Sequence, residues 1–354
     1  MKQKLTPISE IGEFGLIERL KTKCNELRLS EKVKDQIILG IDDDTAITRP
    51  ATGMLQLSTS DLLVEGVHFD LTYTSMKHLG WKLMVVNLSD IAAMGGVPVY
   101  AIVTIALPAK ISVEMVEELY EGILHAAQTY SCAIIGGDTS TSIGNTMLSA
   151  TITGEVPDRF LKRRNGAKPG DLLCVTGNLG LSHAGLQVLL REKQRFIESH
   201  QQNGFESNLG NYTEAVTKHL APKARFDISM VAAQQEWVHA MIDISDGLTS
   251  DLRHICKQSS TGAELYEEKI PSDPLVEKIA DEFEQSPLDY MLYGGEEYEL
   301  LFTVDPGHTN DLAEMLPGVS VIGTITKETE TVDLITKKGE RKTIMTGGYD
   351  HFKK

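Results

Sequence analysis

Strand-like and helix-like segments alternate along the first half of this chain. Residues 54–61, MLQLSTSD, alternate apolar and polar side chains as a strand does. Residues 78–96, HLGWKLMVVNLSDIAAMGG, then place apolar side chains at helical spacing and end at two glycines. The alternation continues through runs at 99–108, 112–130, 132–138 and 146–156. Such an order predicts a mixed α/β fold, of the α/β or α+β class.

The pattern restarts after residues 158–171, DRFLKRRNGAKPGD, a loop rich in arginine, glycine and proline. Single hydrophobic cores rarely grow beyond about 250–300 residues, and this chain has 354. We therefore expect two α/β domains, at 1–157 and 158–354. The polar segment 195–214 lacks clear periodicity and is interpreted as an excursion from the core.

The charge balance limits the partners of the protein. A net charge of -16 argues against binding to nucleic acid or to an anionic membrane, because phosphate-rich surfaces attract basic proteins. It does not exclude a nucleotide, because Mg²⁺ can bridge carboxylates and phosphates. The four cysteines are far apart in sequence and form no C-x-x-C pair, which indicates reduced thiols. With no signal peptide at the N-terminus and no membrane span, we expect a cytoplasmic protein.

Aspartates recur beside small residues at five junctions between predicted elements. The segments are GIDDDTA (Asp42 to Asp44), STSDLL (Asp61), VNLSDIAAMGG (Asp90), IIGGDTSTS (Asp138) and IDISDGL (Asp243 and Asp246). Any one of them is explained well enough as a turn former, a solvated acidic turn or a helix cap. As a set, they fit a centre of several Mg²⁺ ions that holds a polyphosphate.

Other nucleotide and hydrolase signatures are missing from the sequence. No segment matches G-x-x-x-x-G-K-[ST], the glycine-rich loop and H-R-D and D-F-G motifs of protein kinases are missing, and no nucleophile elbow occurs. Phosphoryl transfer by this chain would therefore depend on metal held by carboxylates.

Eight segments, taken in order, resemble the thiamine-monophosphate kinases, which share a superfamily with aminoimidazole ribonucleotide synthetase. They are GIDDDTA, STSDLLVEGVHF, VNLSDIAAMGG, IIGGDTS, RRNGAKPGD, IDISDGLTSDL, YGGEEYELLFTV and GGYDHF. The resemblance extends over nearly the whole chain. It implies an N-terminal domain that binds ATP and Mg²⁺ and pairs its sheet with a copy in a homodimer, followed by a C-terminal α/β domain.

The resemblance also implies roles for individual residues. The implied metal ligands are Asp43, Asp44, Thr59, Ser60, Asp61, Asp90, Asp138, Asp243 and Asp246. The implied ATP contacts are Gly137, Asp138, Arg164 and Ser245. The implied contacts to thiamine monophosphate are His68, Glu296 and Tyr349. Structural roles stay open for three of these residues: a partly buried histidine for His68, a solvated loop arginine for Arg164, and C-terminal packing for Tyr349. Asp42 has no assigned role, because the family more often has glycine there.

The implied reaction is direct transfer of the γ-phosphoryl group from ATP to thiamine monophosphate, which gives thiamine diphosphate. A phosphate monoester is already anionic near pH 7, so we expect no general base and no covalent nucleophile among the side chains. Two alternatives stay open at this point: another ATP-using enzyme of the superfamily, and a non-catalytic protein that binds nucleotides or cations. A reactive cysteine would favour selenophosphate synthetase, but the early Cys24 lies in a polar, helix-like segment rather than a glycine-rich one.

Overall fold

The computed structural model describes residues 6–39, 47–199, 207–345 and 348. The chain forms two compact units. The first unit comprises residues 1–91 and 96–158, and the second comprises residues 92–95 and 159–354.

The first unit has a four-stranded sheet, a short two-stranded sheet and four helices in its described part. In chain order, the elements that begin in it are α1 (Ile8–Asn25), α2 (Glu31–Gln36), β1 (Ile37–Leu39), β2 (Ile47–Thr48), β3 (Leu55–Val64), α3 (Met76–Ala93), β4 (Val97–Leu107), α4 (Val113–Thr129), β5 (Ala133–Thr141) and β6 (Met147–Val156). The strand order of the larger sheet is β3-β6-β4-β5. Strands β4 and β5 are parallel and are joined through α4, whereas β6 is antiparallel to both of its neighbours.

The two faces of this sheet differ in burial. In β4, Val103 and Ile105 are fully buried, whereas Ile102, the neighbour of Val103 along the strand, is 42% exposed. On β3, Leu63 is buried and Leu62 is 54% exposed. Because successive side chains of a strand point to opposite faces, one face of the sheet is covered and the other is open in this chain.

The second unit is built on a seven-stranded sheet. Its elements are β7 (Leu172–Thr176), α5 (Leu181–Glu198), α6 (Thr213–Leu220), α7 (Phe226–Ala232), β8 (Val238–Asp243), α8 (Leu248–Ser259), β9 (Gly262–Tyr266), α9 (Pro274–Glu282), α10 (Pro287–Tyr293), β10 (Leu300–Val304), α11 (Thr309–Met315), β11 (Val319–Thr326), β12 (Val332–Ile335) and β13 (Arg341–Thr343). The strand order is β13-β12-β9-β11-β7-β10-β8. Its described pairs are antiparallel except for the parallel pair of β12 with β9.

Both faces of this second sheet are covered. On β7, Leu173 and Val175 belong to a core that also contains Leu252 and Ile255 of α8. Cys174 between them belongs to the opposite core, with α7 and α11. The strand is therefore apolar at consecutive positions, as expected for a strand buried on both sides.

The mixed α/β architecture predicted from the periodicity is confirmed. The strand-like segment at 54–61 and the helix-like segment at 78–96 overlap β3 and α3, and the run at 112–130 contains α4. The four cysteines are free and buried, and burial raises the pKa of Cys24, Cys132 and Cys174 to about 12. Within the described ranges, no helix has both the length and the apolar character that crossing a bilayer requires.

Candidate functional site

Asp61 and Asp90 form a carboxylate pair in the first unit. Thr59 and Asp61 lie two residues apart on β3 and therefore point to the same, covered face. Asp90 is on α3, where its Oδ2 atom accepts a hydrogen bond from Thr59 Oγ1 at 2.5 Å. Burial, and secondly the charge of Asp90, raise the pKa of Asp61 to about 6. The pair thus brings together two negative charges that repel one another.

This pair fits a hard cation. Its donors are carboxylate and hydroxyl oxygens, which Mg²⁺ prefers, and a cation between the carboxylates would cancel their repulsion. Over the described ranges, no group of three or more His, Cys, Asp or Glu side chains is arranged to hold a metal. Mg²⁺ is commonly held by one or two carboxylates together with substrate phosphates, so a pair is enough protein for such a site.

The register of the sheet places Gly137 on the same face as Asp61 and places Asp138 on the opposite face. Asp61 pairs with Ala150, Ala150 with Val103, and Val103 with Gly137, so these residues share one row and one face. Three strand spacings separate Asp61 from Gly137, which is roughly 14 Å. Asp138 pairs with Thr104 on the open face and is exposed.

Ser60 also points away from its neighbours Thr59 and Asp61. Its hydroxyl lies 2.9 Å from Thr151 Oγ1 on the open face of the sheet. The assignment of Ser60 and Asp138 as metal ligands stays a prediction. Asp43, Asp44 and Tyr349 lie outside the described residues.

A second group of carboxylates lies in the second unit, where β8 leads into α8. Asp243 ends β8 and is 3% exposed. Asp251, in the first turn of α8, accepts hydrogen bonds through Oδ2 from the backbone N–H groups of Ser245 at 3.0 Å and Asp246 at 3.1 Å. Burial, followed by the charges of Asp243 and Asp246, raises the pKa of Asp251 well above its ordinary value. Asp251 therefore fixes the loop that carries Ser245 and Asp246.

Gly348, from the C-terminal motif, contacts this same loop. A β-carbon placed on Gly348 would lie only 1.7 Å from the carbonyl oxygen of Asp246, so this backbone contact requires glycine. The preceding segment is held to α8, because the guanidinium of Arg253 donates a hydrogen bond to the carbonyl of Ile344. Gly348, the one residue of the motif GGYDHF that the structure describes, thus lies beside the loop that carries Ser245 and Asp246.

Arg164 also lies beside α8. Its carbonyl accepts a hydrogen bond from Ser259 Oγ at 2.9 Å. Burial, and then the charge of Arg164, lower the pKa of His254 on α8, and the charge of Asp246 opposes both. His254 is therefore within electrostatic range of both Arg164 and Asp246.

The two predicted substrate contacts lie in different units. His68 follows β3, and its Nδ1 accepts a hydrogen bond from the backbone N–H of Val64 at 3.1 Å, which leaves the proton of a neutral imidazole on Nε2. Glu296 follows α10 and has a φ of +61°. Its backbone N–H donates a hydrogen bond to the carbonyl oxygen of Ser245 at 2.7 Å. Its carboxylate lies 3.3 Å from Nδ1 of His219.

Comparison with known proteins covers both units. The family model for the AIR synthase related protein N-terminal domain matches residues 42–156, and the C-terminal domain model matches residues 168–335. A thiamine-monophosphate kinase of Aquifex aeolicus is 37% identical over 347 residues, which cover 98% of this chain and 99% of that protein. The chain belongs to the thiamine-monophosphate kinase family. A thiamine-monophosphate kinase of Bacillus subtilis is 30% identical, over 89% of this chain and 94% of its own length.

Solved structures of thiamine-monophosphate kinases share the fold. The crystal structure of the enzyme from Stenotrophomonas maltophilia K279a has a TM-score of 0.75 and 31% identity, and the match covers 93% of this chain and 98% of that one. The structure of AaThiL complexed with AMPPCP and TMP has a TM-score of 0.73 and 31% identity, with 99% and 100% of the two chains covered.

Two residues of this family member were not singled out from sequence. Asp251 stands in the motif IDISDGLTSDL, and its position in the first helical turn, five residues after Asp246, was the available signal. His219 lies in no recognised motif, and its contact with Glu296 joins two segments that are far apart in sequence. No sequence signal pointed to it.

Proposed function

We propose that this protein phosphorylates thiamine monophosphate with ATP, which gives thiamine diphosphate and ADP. The observation that carries the proposal is the family relationship over nearly the full length of the chain. The relative solved with AMPPCP and TMP supports both substrates, an ATP analogue and the acceptor. The carboxylate groups of the two units would hold the cations that such anions need, because carboxylates alone repel phosphates.

The metal-binding residues proposed for the first unit are Asp61 and Asp90, with Thr59 orienting the latter. Those proposed for the second unit are Asp243 and Asp246. Asp43, Asp44, Ser60 and Asp138 are added on the strength of the family resemblance. When bound, Mg²⁺ would supply charge cancellation between the carboxylates and the phosphate oxygens.

The nucleotide contacts proposed are Gly137, Asp138, Arg164 and Ser245. Arg164 offers a permanent positive charge for phosphate oxygens. Asp251 keeps the backbone of Ser245 and Asp246 in one arrangement through its two hydrogen bonds, so that both residues are positioned before the nucleotide arrives.

The acceptor oxygen needs no deprotonation, because the second pKa of a phosphate monoester is about 6. The side chains therefore have to align two anions rather than to move a proton. We assign His68, Glu296 and Tyr349 to the binding of thiamine monophosphate. In the neutral imidazole of His68, Nδ1 accepts the Val64 hydrogen bond and Nε2 carries the proton, so neither nitrogen offers a lone pair to a phosphoryl group in this arrangement, which favours direct transfer over a phosphohistidine relay.

We also propose a homodimer that pairs the open faces of the first-unit sheets. Leu62, Ile102 and Met147 are 54%, 42% and 41% exposed on this face. Apposition of two copies would bury this apolar surface together with uncharged serine and threonine side chains around it. Asp138, which is exposed on the edge strand β5 of the same face, is a charged residue that such an interface has to accommodate. We retain domains at 1–157 and 158–354, and the free, buried cysteines support a cytoplasmic location.

An ADP-release assay tests the proposed function. ADP should form when ATP, Mg²⁺ and thiamine monophosphate are all present, with thiamine diphosphate in equal amount by chromatography. ADP formation without the acceptor would indicate another ATP-using activity. Nucleotide binding with no turnover under any of these conditions would leave only a binding protein.

A further inference from the structure

Glu296 is held in a backbone conformation that residues with side chains rarely adopt. Its φ is +61°, and Tyr298 two residues later has φ of +51°. Both residues are fixed by backbone hydrogen bonds, from Glu296 N to Ser245 O at 2.7 Å and from Tyr298 N to Ile244 O at 2.8 Å. Unfavourable conformations of this kind persist where the surrounding structure enforces them, often at binding sites.

The Glu296 side chain is fixed as well. His219, in the last turn of α6, places Nδ1 at 3.3 Å from Glu296 Oε2 and 3.2 Å from Ser182 Oγ. An ionised carboxylate only accepts hydrogen bonds, so Nδ1 must carry the proton in this contact. The His219 side chain is 5% exposed, whereas that of Glu296 is 26% exposed and can be reached by a ligand.

The position of His219 depends on close packing between α5 and α6. Gly185 on α5 faces the backbone of Ala215 on α6, and a β-carbon at Gly185 would lie 2.1 Å from the Ala215 carbonyl oxygen. Ser182 is held in turn by Glu297, whose Oε1 accepts its backbone N–H at 3.0 Å. The contact between His219 and Glu296 is therefore built into a buried, rigid part of the second unit.

We propose that His219 is a positioning residue that orients the Glu296 carboxylate toward thiamine monophosphate. This inference rests on the proposed function and on the assignment of Glu296 to the acceptor site. Thiamine has a permanently charged thiazolium ring and an amino group on its pyrimidine ring. A carboxylate held in one orientation complements either group. Loss of the His219 contact should weaken acceptor binding and leave phosphoryl transfer itself nearly unchanged.

Three variants test this role by separating KM from kcat. His219→Leu removes the donor, and His219→Asn keeps an amide N–H close to the position of Nδ1. His239→Leu is the matched control, because His239 forms a similarly buried pair with Asp171 at 2.9 Å in the same unit.

His219→Leu should raise KM for thiamine monophosphate about tenfold, the scale for one lost hydrogen bond to a charged group, with kcat within about threefold. His219→Asn should return KM to within about threefold of wild type. The control should leave KM for thiamine monophosphate unchanged, and KM for ATP should stay constant in all three. An unchanged KM for thiamine monophosphate in His219→Leu would overturn the positioning role. A lower kcat together with a higher KM in both leucine variants would also overturn it.

The pairing can also be tested without turnover. Nitrogen-15 spectra of the wild-type imidazoles should show a proton on Nδ1 of His219 and a change in that resonance in Glu296→Gln. An unprotonated Nδ1 would overturn the pairing whatever the activity of the protein. If the pairing is present but the wild type makes no ADP in response to thiamine monophosphate, the proposed function fails and the positioning role fails with it.

Discussion

The carboxylate groups of the two units are stabilised in different ways. In the first unit, Asp61 lies on a strand and Asp90 on a helix. The hydroxyl of Thr59, on the strand, donates a hydrogen bond to Asp90. In the second unit, Asp251 is almost completely buried, and two backbone N–H groups satisfy one of its oxygens. Burial raises the pKa of Asp61 and of Asp251, with nearby carboxylates as the second cause in both cases.

This difference separates a carboxylate that we propose binds metal from one that shapes a loop. The charge of Asp90 repels that of Asp61, and a bound cation would remove this repulsion. The free energy that the repulsion costs in the metal-free protein therefore favours metal binding. Asp251 has its hydrogen bonds inside the protein and acts on Ser245 and Asp246 through their backbones. Substitution should therefore affect activity first at Asp61 and stability first at Asp251.

Asp61→Asn should give the largest effect on activity. Removal of one preorganised charged group from a phosphoryl-transfer site commonly lowers kcat by about 10²-fold or more, and we expect a loss of this size. The thermal midpoint of the metal-free protein should stay equal or rise, because the repulsion with Asp90 disappears. Steady-state kinetics at saturating Mg²⁺ and thermal unfolding test the two parts. Activity within a few-fold of wild type would remove Asp61 from the site.

Asp251→Ala should mainly affect stability. It leaves the N–H groups of Ser245 and Asp246 without their acceptor, at about 1–3 kcal/mol each, so we expect a loss of about 2–4 kcal/mol in the free energy of unfolding. Asp251→Asn keeps an acceptor oxygen and should cost less than about 1 kcal/mol. Chemical denaturation provides the measurement. Equal stability of the alanine variant and the wild type would show that the two hydrogen bonds contribute little.

The dependence of Mg²⁺ affinity on pH should follow the titration of Asp61. Its folded pKa is about 6, above the ordinary 3.8, so below pH 6 a proton competes with the metal and apparent affinity falls by up to about tenfold per pH unit. By the same linkage, the stability contributed by the protonated group is fully present below pH 3.8 and is lost as the pH rises through 6. Mg²⁺ titrations at pH 7.5 and pH 5 measure the effect. The same apparent affinity at both values would contradict it.

Thr59→Val should have the smallest effect of the four changes. It removes the donor to Asp90 without changing the size of the side chain, and kcat/KM should fall by about five- to tenfold. Thr59→Ser keeps the hydroxyl and is the matched control, with an expected change of less than about threefold. If the serine and valine variants behave alike, the hydroxyl does not orient Asp90.

Much of the candidate site was accessible from the sequence, residue by residue. Asp61, Asp90, Asp243 and Asp246 were selected because each stands at an element junction in a recognisable motif. Which of these junctions share one face of a sheet could not be predicted, because that depends on how the strands pair. Both sheets are mostly antiparallel, and Asp138 is exposed on the face opposite Asp61.

The sequence by itself determined the elements and the family, because side-chain periodicity and ordered motifs are local properties of the chain. The family resemblance grouped Thr59, Ser60 and Asp61 as metal ligands, whereas the structure places Ser60 on the opposite face of β3, because side chains along a strand alternate with a period of two. The tertiary structure decided which strands became neighbours, and with them the row that joins Asp61 to Gly137. It also decided that His219 meets Glu296, 77 residues away in sequence, because helix packing depends on contacts that no local pattern encodes.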